Sequence, residues 1–204
     1  MNGREKKISI IIESLDGMDG FFGNDEGEFL YRHALRCTGK GVILEIGSWK
    51  GRSTVWLANA ARETGVSQVY AVDPHTGSPE YHERMGEVYT FDIFKNNIKS
   101  AGVDDVVTPI KKTSAEAAAE WDGTPIELLW IDGDHSYEMV KLDFELWSPY
   151  LVDGGIVAFH DTARREGPKR FVAERIFKSR DYKNASFFET ITVATKTERN
   201  TMLD

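Results

Sequence analysis

Residues 41–61, GVILEIGSWKGRSTVWLANAA, have the pattern of a buried strand, a glycine-containing turn and a helix. The run VILEI is rich in β-branched residues, which is typical of a strand covered on both faces. Gly47 and Gly51 bracket the turn, where the absence of side chains lets the backbone approach a ligand closely. Ser53 lies where the helix begins, and the free N–H groups and positive dipole end of that helix favour an anionic group at the turn.

An acidic residue lies at or next to the end of each of the first two predicted strands. Glu45 places a carboxylate beside the turn, where it would receive a cation or an amine, so the turn suits a ligand with both charges, such as an amino acid. The plainer alternative is that the glycines only shape a βα turn. The second predicted strand, residues 68–73 (QVYAVD), ends in Asp73, 26 positions after Gly47. An acid there can accept two hydrogen bonds from a ribose diol.

The motifs EIGSWKG and AVDPHTG resemble those of class I S-adenosylmethionine-dependent methyltransferases. The resemblance implies that the turn after the first strand holds the methionine part of the cofactor and that Asp73 holds its ribose. A dinucleotide-binding dehydrogenase would more often show G-x-G-x-x-G, whereas the pattern here is E-x-G-x-x-x-G. That difference favours a ligand with one carboxylate over one with a pyrophosphate. An NAD-dependent oxidoreductase on a similar fold is the alternative enzyme class.

Size and composition restrict the kind of protein. The chain has 204 residues, 41% hydrophobic and 28% charged, which fits one domain over residues 1–204. The net charge of −8 disfavours binding to nucleic acid or anionic membranes, since phosphates need a basic patch. The single cysteine, Cys37, allows no intrachain disulfide and is expected to be buried. With no apolar run near the roughly 20 residues of a membrane span and no signal-peptide cleavage site, we expect a cytoplasmic protein.

Five predicted strands alternate with helices, which indicates an α/β fold with a doubly wound, mostly parallel sheet. The strands are 42–46, 68–73, 106–110, 126–131 and 156–159. Helices are predicted over 25–37 with Asn24 as N-cap, 53–64, 89–101, from Thr113 onward, 137–151 and 168–179, with a polar loop at 74–86 and a tight turn at 153–155. Alternation within 190–197 favours a C-terminal antiparallel strand at or near one edge. Residues 1–23 form a short helix or an arm that packs on a partner subunit, as in a homodimer.

Acids and histidines concentrate after the strands, at the edge of an open parallel sheet where ligands bind. The fourth strand is followed by Asp132, Asp134 and His135 (WIDGDHSYE), and the fifth by His160 and Asp161 (AFHDT). The opposite strand ends offer chiefly Gly and Lys. We expect the segment 75–90 and the N-terminal segment to cover an acceptor pocket at this edge.

This cluster has three chemical interpretations. In the first, Asp132 and Asp161 hold a divalent cation such as Mg²⁺, which lowers the pKa of a substrate hydroxyl while His135 is the general base. In the second, no metal binds and His135 or His160 acts alone as the base. In the third, the two histidines and one acid form a non-haem iron site. The structural alternative is that the acids cap helices and turns and the histidines satisfy local hydrogen bonds.

The run LLWIDGDHSYEMVKLDFELWSPYLVDGGIVAFHDT resembles the small O-methyltransferases related to macrocin-type enzymes and cephalosporin-hydroxylase-like proteins. More distantly it resembles catechol and caffeoyl-coenzyme A O-methyltransferases, and the likeness covers about residues 24–165. It implies that Asp132 and Asp161 bind the metal, that His135 takes the base position held by lysine in the catechol group, and that Ser114 contacts the adenine ring. The next ligand in that family is commonly Asn or Asp, whereas this chain has Thr162.

The sequence therefore predicts an S-adenosylmethionine-dependent methyltransferase that methylates the hydroxyl of a small-molecule acceptor, with a divalent cation assisting. His135 and Asp132 are the predicted catalytic residues. The predicted cofactor-binding residues are Glu45, Gly47, Ser48, Gly51, Ser53, Asp73, Pro74, Ser114 and Asp132. The non-enzymatic alternative is a methyltransferase-like binding module that holds the cofactor without turnover.

Overall fold

The computed structural model describes residues 3–66 and 68–198. Within them, seven strands form one sheet in the order β3–β2–β1–β4–β5–β7–β6. The strands are β1 (Val42–Ile46), β2 (Val69–Val72), β3 (Val107–Ile110), β4 (Ile126–Ile131), β5 (Leu151–Phe159), β6 (Tyr182–Phe188) and β7 (Ile191–Lys196). The pairs β3–β2, β2–β1, β1–β4 and β4–β5 are parallel, whereas β7 is antiparallel to both β5 and β6. The predicted α/β fold with a C-terminal antiparallel strand is confirmed.

Helices cover both faces of the sheet. They are α1 (Gly3–Ser14), α2 (Asn24–Ala34), α3 (Arg52–Thr64), α4 (Pro79–Met85), α5 (Phe91–Ser100), α6 (Ser114–Ala119), α7 (Tyr137–Trp147) and α8 (Glu166–Phe171), which continues as a π-helical turn (Val172–Ile176). One apolar layer packs α1, α2, α3 and α5 against the sheet. The other packs α6, α7 and α8 against the opposite face. Each strand of the parallel part is therefore covered on both sides, as its apolar sequence requires.

The N-terminal segment folds onto its own chain. In α1, Ile8 and Ile11 are buried, and Leu15 follows them into the layer shared with α3. Of the two predicted alternatives for residues 1–23, the structure shows the short helix, while Met1 and Asn2 lie outside the described residues. A homodimer and a single domain over the whole chain stay predictions.

Several predicted boundaries differ from the structure for local reasons. Gly23, not Asn24, is the N-cap of α2, because the Asn24 Oδ1 accepts a hydrogen bond from Arg52 (2.9 Å). Helix α7 ends at Trp147, since a short 3₁₀ turn that contains Pro149 follows (Ser148–Tyr150) and Leu151 begins β5. The predicted tight turn at 153–155 is an irregularity within β5, opposite a register shift in β4.

Two further segments contain more regular structure than predicted. The predicted polar loop at 74–86 contains α4, which has Pro79 in its first turn, a position where the missing N–H costs nothing. The sequence run before β7 forms a separate edge strand, β6, which pairs with β7 as a hairpin. Among the described residues, no helix has both the length and the apolar character needed to cross a bilayer.

Candidate active site

A cavity of about 770 Å³ opens at the carboxyl ends of the parallel strands. Its walls come from the turns after β1 and β2, the start of α6, the turn after β4, the segment after β5 and residues 19–22. This is the sheet edge at which the sequence places its acids and histidines. Of the predicted site residues, it brings together Gly47, Ser48, Ser53, Asp73, Pro74, Ser114, Asp132, His135 and Asp161.

The turn after β1 is shaped by backbone contacts. Gly47 has φ +85°, and a Cβ built there would lie 2.1 Å from the carbonyl oxygen of Asp132. The close packing of this turn against the end of β4 therefore requires glycine at position 47, in addition to any requirement set by a ligand. Ser48 is 2% exposed and lines the cavity, and within residues 3–66 and 68–198 its Oγ has no hydrogen-bond partner. Gly51 does not line the cavity; it has φ +95° and faces Phe94.

Glu45 is placed differently from the expectation. It is fully buried, it does not line the cavity, and its two carboxylate oxygens accept hydrogen bonds from the hydroxyls of Ser53 and Thr54 (both 2.5 Å). Burial raises the pKa of Glu45 to about 8, against the effect of those two hydrogen bonds. Its side chain thus ties β1 to the start of α3 and is not available to an amine in the cavity.

Asp73 faces the cavity with both oxygens held by backbone groups. The N–H of Trp49 donates to Oδ2 (2.7 Å) and the N–H of His75 donates to Oδ1 (2.6 Å). Each carboxylate oxygen has a second lone pair, so the group retains acceptor capacity for a diol. Trp49 and His75 both have positive φ (47° and 61°). Non-glycine residues seldom adopt a positive φ. The strained backbone of these two residues therefore holds their N–H groups against the carboxylate of Asp73.

Two acid–histidine pairs form the wall after β4 and β5. The His160 Nδ1 lies 2.9 Å from Asp132 Oδ1, and the His135 Nε2 lies 3.2 Å from Asp161 Oδ2. Burial works to lower the pKa of His160, but the carboxylates of Asp132, Glu26 and Asp161 raise it to about 10, which favours the imidazolium form. Burial also raises the pKa of Asp132, while His160 opposes that change.

Glu26 is a site residue that sequence reasoning missed. It lies in α2, far from the strand ends along the chain, yet its Oε1 lies 3.5 Å from His160 Nε2 and accepts a hydrogen bond from Thr190. Burial works to raise the pKa of Glu26, but the nearby His160 imidazole and the hydrogen bond from Thr190 lower it to about 2. No local sequence signal distinguishes this residue from the other acids in the first turn of α2.

Asp132, His135 and Asp161 could hold a metal ion, because one ligand atom from each lies within 4.8 Å of the other two. Two carboxylates and one imidazole are donors that suit several divalent cations. Thr162 does not join them; its Oγ1 donates to the carbonyl oxygen of Thr190 (2.9 Å) and contacts the hydroxyl of Thr192. His160 also stays outside this set, since its Nδ1 contacts Asp132.

Aromatic side chains stand at the cavity mouth. The rings of Trp49 and Tyr81 have centroids 5.0 Å apart, and Phe21, which is 64% exposed, lies 5.6 Å from Tyr81. All three line the cavity. Phe21 belongs to the N-terminal segment and Tyr81 to residues 75–90, whereas Trp49 lies in the turn after β1, and a cover over an acceptor pocket stays a prediction. His75 instead turns into the core, where its Nδ1 lies 2.9 Å from the Thr90 hydroxyl.

Two sequence relatives show how much of a known protein the chain spans. It is 32% identical over 135 residues to an uncharacterised protein of Sinorhizobium fredii, covering 66% of this chain and 14% of that protein. It is 28% identical over 125 residues to the catechol O-methyltransferase of Mycobacterium tuberculosis, covering 61% of this chain and 49% of that enzyme. The chain therefore spans about half of the second relative and much less of the first.

Solved structures share the fold at low sequence identity. The O-methyltransferase NovP superposes with a TM-score of 0.75 at 17% identity, covering 94% of this chain and 88% of that one. An O-methyltransferase from Bacillus cereus in complex with SAH has a TM-score of 0.64 at 18% identity, covering 96% and 92%. The family model described as a methyltransferase domain matches residues 44–162, from β1 to the end of the acid–histidine wall. Because that match includes more than half of the chain, the chain belongs to the methyltransferase-domain family.

Proposed function

We propose that this protein transfers the methyl group of S-adenosylmethionine to a hydroxyl of a small molecule. Four observations support the proposal: the family match, the cavity at the strand ends, the available acceptor atoms of Asp73 and the acid–histidine wall opposite it. The names of the M. tuberculosis relative and of NovP, both O-methyltransferases, favour oxygen as the methyl acceptor. The family match favours this activity over the oxidoreductase alternative.

The cavity suits the proposed cofactor. The amino-acid end would lie at the turn after β1, where the unpartnered Ser48 Oγ and the N-terminal end of α3 offer polar groups to a carboxylate. The ribose diol would lie on Asp73, beside Pro74. This placement leaves the sulfonium facing the wall of Asp132, His135 and Asp161. When bound, the cofactor supplies an activated methyl group, so the protein has to align the acceptor and exclude water.

Removal of the acceptor's proton is the step that needs the protein's own residues, and the contact between His135 and Asp161 is the observation that carries this assignment. In the tautomer whose Nε2–H donates to Asp161, the lone pair of the His135 ring is on Nδ1, and Nδ1 is the atom that accepts the proton. Asp161 then holds the ring in one tautomer and stabilises the imidazolium that forms. Asp161 itself has φ +55°, a strained conformation that aims its carboxylate at this histidine.

A divalent cation at Asp132, His135 and Asp161 is the second candidate, favoured by the spacing of their ligand atoms. Such an ion would lower the pKa of the acceptor hydroxyl when bound. The two assignments exclude each other at His135, because an imidazole cannot be both a metal ligand and a base through the same lone pair.

The cofactor assignment is tested by calorimetry with S-adenosylhomocysteine. We expect saturable binding that weakens at least about tenfold in Asp73→Ala, since a hydrogen bond to a charged group is worth about 1.5–3 kcal/mol. Asp104→Ala, which removes an exposed acid outside the cavity, should bind as the unchanged protein does. Absence of binding by the unchanged protein would refute the proposed function.

The base assignment is tested by turnover with hydroxylated acceptors in the presence and absence of EDTA. We expect His135→Gln to reduce kcat by about 10²–10⁴-fold with unchanged affinity for S-adenosylhomocysteine, and EDTA to have no effect. Loss of activity in EDTA and recovery with added Mg²⁺ or Mn²⁺ would favour the metal assignment. Full cofactor binding without turnover on any acceptor would favour the non-catalytic binding module.

A further inference from the structure

Glu26 is a buried acid behind the wall of the cavity, and the proposed chemistry does not use it. It is 7% exposed and does not line the cavity, whereas His160, which it contacts, does line it. Burying a carboxylate is costly unless other groups replace the water that it loses. The partners of its two oxygens therefore indicate why the acid is buried here.

One oxygen of Glu26 has a purely local partner. Oε2 accepts a hydrogen bond from the N–H of Gly23 (3.2 Å), which caps the first turn of α2. Helix α6 has the same kind of cap, in which Glu116 accepts from the N–H of Thr113 (3.0 Å), but Glu116 is exposed. Capping therefore does not explain the burial of Glu26, and the explanation has to involve Oε1.

The other oxygen of Glu26 connects α2 to the acid–histidine wall. Oε1 lies 3.5 Å from His160 Nε2 and accepts a hydrogen bond from the hydroxyl of Thr190. The carbonyl oxygen of Thr190 accepts from the N–H of Thr162 (2.8 Å), and Thr162 directly follows Asp161. This oxygen thus contacts the histidine of the wall and, through Thr190, braces the segment that carries Asp161.

The ring of His160 is held between two acids and two aromatic side chains. Its Nδ1 lies 2.9 Å from Asp132 Oδ1, and its Nε2 faces Glu26. The rings of Phe22 and Trp130 have centroids 5.4 Å and 5.6 Å from that of the imidazole. Within residues 3–66 and 68–198, Nε2 has no hydrogen-bond partner, so the carboxylate of Glu26 is the polar group that faces it. Half a turn about the Cβ–Cγ bond would present carbon atoms to both acids, so the two acids together favour one orientation of the ring.

We propose that Glu26 is a positioning residue, which holds the His160 ring against Asp132 and thereby keeps the wall in the geometry that removes the acceptor's proton. The inference rests on the proposed function. The His160 Nδ1 also lies 3.8 Å from Oδ2 of Asp161, the acid that orients His135. Without Glu26, the buried Nε2 would lose its polar neighbour, and a shift of the ring would disturb both acids. Because Glu26 does not reach the cavity, its loss should slow the chemical step and leave cofactor binding unchanged.

The test is a double-mutant cycle between Glu26 and His160, in which kcat and the Kd for S-adenosylhomocysteine are measured for each variant. Glu26→Met removes the carboxylate at nearly constant length, Glu26→Gln keeps an acceptor oxygen, and His160→Gln removes the ring. Asp25→Asn is the matched control, because Asp25 is an exposed acid in the same turn of α2. Crystal structures of the unchanged chain and of Glu26→Met show the position of the His160 ring independently of turnover.

We expect Glu26→Met to lower kcat about tenfold or more at unchanged Kd, since groups in one network are coupled by an energy of this order. Glu26→Gln should lower kcat less, and Asp25→Asn should leave it unchanged. In the His160→Gln background, Glu26→Met should cause no further loss of kcat, because the ring through which Glu26 acts is absent. In the crystal of Glu26→Met, the contact between His160 Nδ1 and Asp132 should be lost.

If Glu26→Met lacks a cooperative thermal transition, Glu26→Gln and Thr190→Val decide by the same criterion, since Thr190→Val removes the hydroxyl that holds Glu26. An unchanged kcat in the folded variants overturns the inference while the proposed function stands. So does an equal loss with and without the His160 ring, or a ring that keeps its place in Glu26→Met. Failure of the unchanged chain to bind S-adenosylhomocysteine, or to turn over any acceptor, overturns both.

Discussion

Two carboxylates at the ends of adjacent strands have different environments, and their neighbours explain why. Asp73 is held by two backbone N–H groups and keeps acceptor capacity toward the cavity. Glu45 is held by two hydroxyls on the far side of the strand and is fully buried. In the sequence, each is simply an acid at or near the end of an apolar run. Only Asp73 can receive a ligand, because only Asp73 faces the cavity.

The burial of Glu45 predicts a pH-dependent stability. Since its pKa rises from 4.5 to about 8 on folding, the folded state keeps a proton that the unfolded chain releases, and stability falls as pH increases through that interval. Glu45→Gln lacks this titration. One pKa unit is worth about 1.4 kcal/mol, so we expect the variant to gain roughly 4 kcal/mol relative to the unchanged protein between pH 5 and pH 9.

The measurement is urea unfolding of both proteins across that pH range. Glu13→Gln, which changes an exposed acid on α1, is the control and should follow the unchanged protein. A constant difference between Glu45→Gln and the unchanged protein would contradict the prediction.

At the scale of elements, the turn between β1 and α3 is fixed by a contact that its own sequence does not reveal. Gly47 has to be glycine because the carbonyl oxygen of Asp132 occupies the space of a Cβ. That carbonyl belongs to the end of β4, which pairs with β1 in parallel register. The glycine at position 47 is therefore explained by the packing of two strand ends as well as by the binding of a ligand.

Gly47→Ala should destabilise the protein more than Gly65→Ala does. Both glycines have positive φ (85° and 75°), which costs a non-glycine residue about 1–2 kcal/mol. A Cβ at Gly65 meets no atom of the described residues within 4 Å, whereas one at Gly47 overlaps backbone. We expect an additional loss of about 2 kcal/mol or more at Gly47, measured by chemical denaturation. Equal losses at the two positions would show that conformation alone accounts for the glycine.

Most elements follow from hydrophobic periodicity, but their ends depend on contacts between distant residues. The parallel strands and α3 agree with the pattern of their own residues. The start of α2 does not, because Arg52 recruits the side chain of Asn24. The edge strand β6 has no apolar alternation of its own, since most of its residues are exposed, and it forms through pairing with β7. The sequence pattern within one segment cannot reveal contacts with residues that are distant along the chain.

For the whole molecule, the sequence predicted which residues reach the cavity edge but not how they pair. Parallel strands bring their carboxyl ends together, so the rim of Asp73, Asp132, His135 and Asp161 follows from topology. The sequence also does not show that α2 brings Glu26 to His160 from a distant part of the chain. The sequence shows that Thr162 stands where the related enzymes commonly have Asn or Asp. It does not show that Thr162 Oγ1 donates to the carbonyl oxygen of Thr190, because Thr190 lies beside β7 and is distant along the chain.

The charge of the whole molecule predicts that S-adenosylmethionine and S-adenosylhomocysteine respond differently to salt. The chain carries −8, and the cavity walls contain six aspartates against four lysines and arginines. S-adenosylmethionine has a net positive charge because of its sulfonium, whereas its demethylated product is neutral overall. An acidic cleft attracts the cation from a distance, and salt weakens that attraction.

Stopped-flow binding through the fluorescence of Trp49, which lines the cavity, measures the effect. Between roughly 0.01 M and 0.1 M NaCl the Debye length shortens from about 30 Å to about 10 Å. We expect the association rate constant of S-adenosylmethionine to fall about threefold or more over that range, and that of S-adenosylhomocysteine to stay constant. The two ligands differ by one methyl group and one charge, so any general effect of salt on the protein appears equally in both. Equal salt dependence would mean that the cavity's acids are neutralised locally, as His160 neutralises Asp132, and that the net charge of the chain does not reach the ligand.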